Sequence, residues 1–285
     1  ALRDHVGVPR ARVALAPLLR YGGPTIAADS AVFLLNVVDR TYLLRAESPA
    51  AAGLYSVAVK LATGVIVAVR GFQLAWPPLA YSVEDDDQAR ALYARVTTAY
   101  LVVTGVLVFA LELLGRWVVR LLAAPDFFGA YEALPWLGLG WALYGLYLVQ
   151  VTIAGRVKAT IRTLPAALGG VVVNVVVLVA LVPPLGIQGA AIALCSAYVA
   201  MLVALHLMTR RLFVVPFEWG RVARLVLVGG GIAVAGNLLL PDSGMAGLLS
   251  RGATLALIPP ALVLAGVVTI AELRALRQSL RPPRL

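Results

Sequence analysis

The feature that most constrains this chain is a run of apolar residues, 50–76, long enough to cross a bilayer yet carrying two cations, Lys60 and Arg70. Ionisable side chains inside a membrane span are unfavourable, and they normally face a water-filled cavity or a buried partner. At about 100° per residue, with Lys60 at zero, Ser56 falls at about −40°, Thr63 at about −60° and Arg70 at about −80°. The four polar groups therefore share roughly one quarter of the helix surface. Such a stripe predicts a cationic wall along a pathway for something anionic. The competing expectation is that each cation snorkels to its nearer interface or sits in a structural ion pair.

Composition supports a membrane setting. With 285 residues, 61% hydrophobic, 13% charged and a mean hydropathy of +0.91, the chain has more apolar side chain than a soluble domain can cover. The net charge of +10 would suggest nucleic acid in a soluble protein, but the basic residues sit in short connections between apolar runs, as orientation signals do. No nucleic-acid partner is expected. Cys195 is the single cysteine, which rules out an internal disulfide framework and metal-ligand cysteine spacing, and no cofactor motif is present. The chain begins at Ala1 with no signal-peptide pattern, and a fragment of a longer protein is expected.

Taken in order, residues 1–20 form a basic segment expected on the cytoplasmic side, and a first span covers about 21–44. Relative to Asp29, Asn36 lies at about −20°, Arg40 at about +20° and Asp39 at about −80°, so this helix also carries a narrow polar stripe. Asp29 or Asp39 is expected to reach Lys60 on the next helix. The acids from Glu84 to Asp87, followed by Arg90, suit the first turn of a helix. Further spans are expected at about 96–114, 131–154, 164–182 and 190–208, with the run from Pro183 to Gly189 as a tight turn between the last two. Asn174 reads as an interhelical clasp, His206 as an interface residue, and the aromatics Trp136, Trp141, Tyr144 and Tyr147 as helix packing. After a linker, 212–221, come two accessory spans within 222–271, at about 222–240 and 253–271, joined by a connection that holds Arg251, and a basic tail, 272–285.

The expectation is thus an all-α, polytopic helix bundle of about eight transmembrane helices, a six-helix lobe at 21–211 plus two C-terminal helices. About seventeen Lys or Arg fall at the termini and the even-numbered loops, against about five in the odd-numbered ones, which predicts both termini on the cytoplasmic side of the inner membrane.

Several stretches carry a resemblance. Asp39-Arg40, Gly53-Leu-Tyr-Ser-Val-Ala58, Lys60 and Phe72-Gln-Leu-Ala-Trp-Pro-Pro78, with Leu143-Tyr-Gly-Leu-Tyr147, Gly186-Ile-Gln-Gly189 and Arg210-Arg-Leu-Phe213, resemble the second lobe of the polysaccharide flippases. These are the Wzx-like lipid-linked oligosaccharide exporters of the multidrug/oligosaccharidyl-lipid/polysaccharide superfamily. The resemblance implies one lobe of a two-lobe transporter plus two extra helices, partnered by a first lobe, by membrane lipid and by polysaccharide polymerase and glycosyltransferases. The implied substrate is an oligosaccharide on undecaprenyl pyrophosphate. On that reading Lys60 and Arg70 contact the diphosphate, while Asp29, Asn36, Arg40, Ser56 and Thr63 line the cavity or form gating pairs. Two alternatives are a cation-coupled multidrug exporter of the same fold, using Asp29, and a non-catalytic scaffold of a glycan-assembly complex. No nucleophile motif, His-Glu pair or Gly-rich phosphate loop points to an enzyme.

Overall fold

The apolar runs fold as helices, and among the described residues there is no strand. The computed structural model describes residues 15–269 and Glu272, with side chains from residue 22 onward. In chain order the helices are α1 (Leu15–Ala46), α2 (Pro49–Leu61), α3 (Thr63–Ser82), α4 (Asp86–Leu122), α5 (Leu134–Arg156), α6 (Thr163–Thr209), α7 (Trp219–Arg224), α8 (Gly231–Leu239) and α9 (Gly244–Leu264). A π-helical turn, Leu225–Gly230, makes α7 and α8 continuous. Among the described residues, five helical stretches are long and apolar enough to cross a membrane, or six when α2 and α3 count as one. The protein is therefore an all-α membrane helix bundle. The segment expected at 1–20 and the basic tail lie largely outside the described residues.

α5 is the central helix, packed along α6, α4 and α3, whereas α1 lies along α6 and meets α2. Residues such as Leu137, Ala142, Tyr147 and Ile153 are buried around much of α5, as expected of a helix that is apolar on all sides. α8 and α9 pack on the outer side of α4 through a separate cluster of Leu113, Leu225, Ala233, Ile258 and Leu262.

The run that was expected to be one straight helix is two. α2 starts at the Ser48 cap, whose hydroxyl accepts from the Ala51 amide at 3.1 Å, with Pro49 in the first turn. At Ala62 the axis bends by 51°. Thr63 and Gly64 are weak helix formers at the break, and the Thr63 hydroxyl donates to the Lys60 carbonyl, competing with the backbone ladder. α3 then continues through Pro77 and Pro78 to Ser82, held by Trp76, which is buried edge-on against Tyr93 at 4.8 Å.

α6 is 47 residues long and would measure about 70 Å if straight, more than twice the ~30 Å hydrocarbon thickness. It is not straight. Gly186, with φ 53° and ψ −129°, breaks it at the turn anticipated after Pro183-Pro184, in a conformation open to glycine. Gly189 lies so close to the Leu181 carbonyl that a Cβ there would stand 2.3 Å away, and a Cβ on Gly170 would stand 2.3 Å from Met201. Together with the Arg162 bond to the Met208 carbonyl, these contacts make α6 a helical hairpin with antiparallel arms.

Polar ties hold the helix ends. Arg156 donates to the Val83 and Glu84 carbonyls at 2.8 and 2.9 Å and to Asp86 at 2.9 Å, so the end of α5 caps the α3–α4 connection. At the opposite end Arg116 pairs with Asp242 and donates to Tyr131 at 3.1 Å. α9 begins earlier than expected, at Gly244 rather than near residue 253, and is closed just after its end at Leu264 by Gly266, whose φ of 66° accompanies Val267 N–H bonding back to Leu262 at 2.9 Å. This shift brings Arg251 into the helix.

Candidate functional site

The bend at Ala62 removes the premise of the single helical wheel, but the cationic face persists. Lys60, Thr63 and Arg70 are all exposed, and Ser56 is half-buried. The Ser56 hydroxyl donates to Ala52 at 2.8 Å and that of Thr63 to Lys60, so both are satisfied by their own backbone. Arg70 donates to Gln73 at 2.9 Å. Among the described residues neither Lys60 nor Arg70 meets a carboxylate. The expected pairing of Lys60 with Asp29 or Asp39 is absent from these residues. The same face also carries Val67, 64% exposed, and Leu74, 80% exposed, so the stripe is cationic but not continuously polar.

On α1, Asp29 and Arg40 are exposed and Asn36 is half-buried, its Nδ2 donating to Val32 at 3.3 Å. α1 runs along α6 while α3 runs along α5, so the two stripes flank the α5–α6 pair. Among the described residues Asp29 makes no ion pair with Arg70, Lys60 or Arg40. Lys60 and Arg40 lie farther toward the α1–α2 connection.

Asp39 belongs to the interior instead. It has no exposed surface, and its carboxylate accepts from Tyr55 Oη at 3.1 Å and from Asn174 Nδ2 at 3.1 Å. Asn174 thus clasps α6 to α1, and Tyr55 ties in α2. The aromatics of α5 also pack: Trp141 meets Tyr144 edge-on at 5.8 Å, and Tyr144 lies 5.4 Å from Tyr198. The acids before α4 behave as a helix start, with Asp85 capping Gln88 at 2.8 Å, Asp86 on Arg156 and Asp87 on Arg90. No group of three His, Cys, Asp or Glu placed to hold a metal ion occurs among the described residues.

Two polar residues stood outside the sequence expectations. Arg251 is 2% exposed inside α9, and Gln150 is 5% exposed inside α5. Gln150 had a legible signal, as an amide two turns inside an apolar helix. Arg251 was assigned to a connection, and only the Ser243-Gly244 start signal could have moved it. Compared with protein-family models and with curated proteins, the chain matches none of them.

Proposed function

We propose that this chain is a transporter lobe that carries an oligosaccharide linked to undecaprenyl pyrophosphate across the cytoplasmic membrane, acting with a second lobe, in the assembly of a cell-surface polysaccharide. We count eight crossings: α1, the bent α2–α3 pair, α4, α5, the two arms of α6, α7–α8 and α9. We place both ends of the chain on the cytoplasmic side, by the excess of Lys and Arg at that end of the helices.

One observation carries the reading: Lys60 and Arg70 are exposed at mid-length of the α2–α3 pair and, among the described residues, free of carboxylates. Lys60 stands about 17 Å from the start of α2 and Arg70 about 18 Å from the end of α3. An ionised diphosphate crossing hydrocarbon needs solvation or opposite charge, and two unpaired cations at that depth supply it. Arg70 offers a bidentate fork and Lys60 a point charge. Asp29, exposed on the α1 stripe, repels a diphosphate until it is paired, which suits a gate.

The test is glycan export by the full-length protein. Arg70→Ala and Lys60→Ala are expected to abolish export, with membrane insertion unchanged; export at the parent level in both variants refutes the assignment. A second reading, a cation-coupled multidrug exporter, draws on Asp29, which is exposed on α1 and in no ion pair among the described residues. Proton- or sodium-driven uptake of dye cations into vesicles, lost in Asp29→Asn, would favour it.

A further inference from the structure

Two cavities meet where α4, α5 and α6 approach the connection into α7. The first, about 300 Å³, is an apolar groove among Leu101, Leu143, Leu146, Leu202 and Val222. The second, about 310 Å³, opens at the helix ends beside Arg210 and Arg211. Gln150, His206, Phe217 and Trp219 line both, so the two form one amphipathic site with Gln150 at its neck.

Three properties of the site point to the same occupant. Leu143 lies about 20 Å along α5 from its end at Arg156, so the groove reaches past half the ~30 Å hydrocarbon thickness. Arg210 and Arg211 are exposed, and among the described residues neither meets a carboxylate, whereas Arg90, Arg156 and Arg221 nearby are bound to Asp87, Asp86 and Glu218 or Glu272. Gln150 is 5% exposed, and its Oε1 has no hydrogen-bond partner. A buried amide oxygen without a donor is destabilising, and the Thr97 and Thr98 hydroxyls of the same groove already donate to Tyr93 and Ala94, which leaves His206, water or a ligand to supply one. Glu218 also lines the groove, but Arg221 holds its carboxylate.

We propose that this is a binding site for an anionic phospholipid of the bilayer, with one acyl chain in the groove, the phosphate against Arg210 and Arg211, and a head-group hydroxyl donating to Gln150 Oε1. A lipid so placed bridges the α4–α6 core and α7. The inference needs the chain to be a membrane protein and is independent of what it transports. Basic side chains near a membrane surface attract anionic lipids by about 1 kcal/mol each, so two Arg give a preference of up to about thirtyfold, and about tenfold where the two share one phosphate.

The test is native mass spectrometry of the purified chain offered equal phosphatidylglycerol and phosphatidylcholine with the same acyl chains. One phosphatidylglycerol is expected to be retained about tenfold better. Arg210→Ala with Arg211→Ala should erase that preference, and Gln150→Leu should reduce it several-fold. Leu146→Trp, which fills the groove, should expel both lipids, and inorganic phosphate in millimolar excess should not displace the bound lipid. Equal retention of the two lipids, a preference that survives the double Arg change, or displacement by phosphate overturns the proposal. Should Leu146→Trp fail to fold, the two exposed arginines still decide it, since their replacement leaves the core untouched.

Discussion

Arg251 and Arg70 are the same side chain inside apolar helices, and the protein treats them in opposite ways. Arg251 is enclosed by the α4–α8–α9 junction. Its Nε donates to Pro241 at 3.0 Å, Nη1 to the Asn237 side chain at 2.7 Å and to Leu113 at 3.4 Å, and Nη2 to the Asn237 and Leu240 carbonyls, both at 3.2 Å. Trp117 lies 5.6 Å from its guanidinium carbon. Arg70 is exposed with one bond, to Gln73. The first cation is consumed mainly by the end of α8, whose last carbonyls have no helical partners, with one further bond to Leu113 inside α4. The second has donors left over. Depth in an apolar run is thus no guide to role; what separates a structural cation from an available one is the number of acceptors the fold has already given it.

If that contrast is right, the largest change follows from Arg251→Met. It strips the Leu113, Asn237, Leu240 and Pro241 carbonyls of a shared donor at the floor of a polar cavity of about 270 Å³, where water replaces part of it, and a loss of about 2–4 kcal/mol is expected. Thermal unfolding in detergent should show α8 and α9 detaching, with a strong fall in the yield of folded protein. A melting temperature within a degree or two of the parent would mean that Arg251 is no more structural than Arg70.

The hairpin of α6 comes next. Gly189→Ala forces a Cβ against the Leu181 carbonyl, where only 2.3 Å is available and backbone cannot yield cheaply, so about 1–3 kcal/mol is expected. Gly64→Ala, at the exposed bend between α2 and α3, meets open space and should be neutral or slightly stabilising. Equal melting temperatures for the two variants would place the tight turn elsewhere. A smaller effect belongs to Asp39→Asn, which keeps an oxygen for one of its two donors. Hydrogen bonds between membrane helices average about 0.6 kcal/mol, and a loss of that order, read from the same melts, is expected.

The sequence made the helical class, the turn at Gly186 and the clasp at Asn174 legible, because each rests on a local signal: apolar length, a Pro-Pro-x-Gly run, or a lone amide in an apolar helix. What it hid depended on neighbours. Lys60 and Arg70 read as one face of one helix, yet the break at Ala62 comes from Thr63 and Gly64, whose effect is a competition between weak local terms. Asp39 and Asp29 lie ten residues apart on α1 and looked interchangeable as partners for Lys60. Burial separated them, since Tyr55 and Asn174, from α2 and α6, were placed to solvate only Asp39. Arg251 could not be located without knowing that four carbonyls from two other segments would converge on it.

The smallest effect on stability is expected where the functional consequence is proposed to be greatest. Lys60→Gln and Arg70→Gln remove charges that bind no carboxylate among the described residues, so each should leave the stability read from the same melts unchanged to within about 0.5 kcal/mol. Water is the remaining variable, because Val67 and Leu74 share the face and would be equally at home against lipid. The protein has one native cysteine, and Cys195 is buried with its thiol donating to the Trp136 carbonyl at 3.0 Å, so a cysteine introduced elsewhere can be read against a low background. In a wet cavity, Arg70→Cys and Lys60→Cys react with a charged, membrane-impermeant thiol reagent, while Leu249→Cys, exposed on α9, does not. If all three stay unreactive, the cations lie against acyl chains with their heads drawn to the interface, and Arg70 differs from Arg251 only in how it escapes the hydrocarbon.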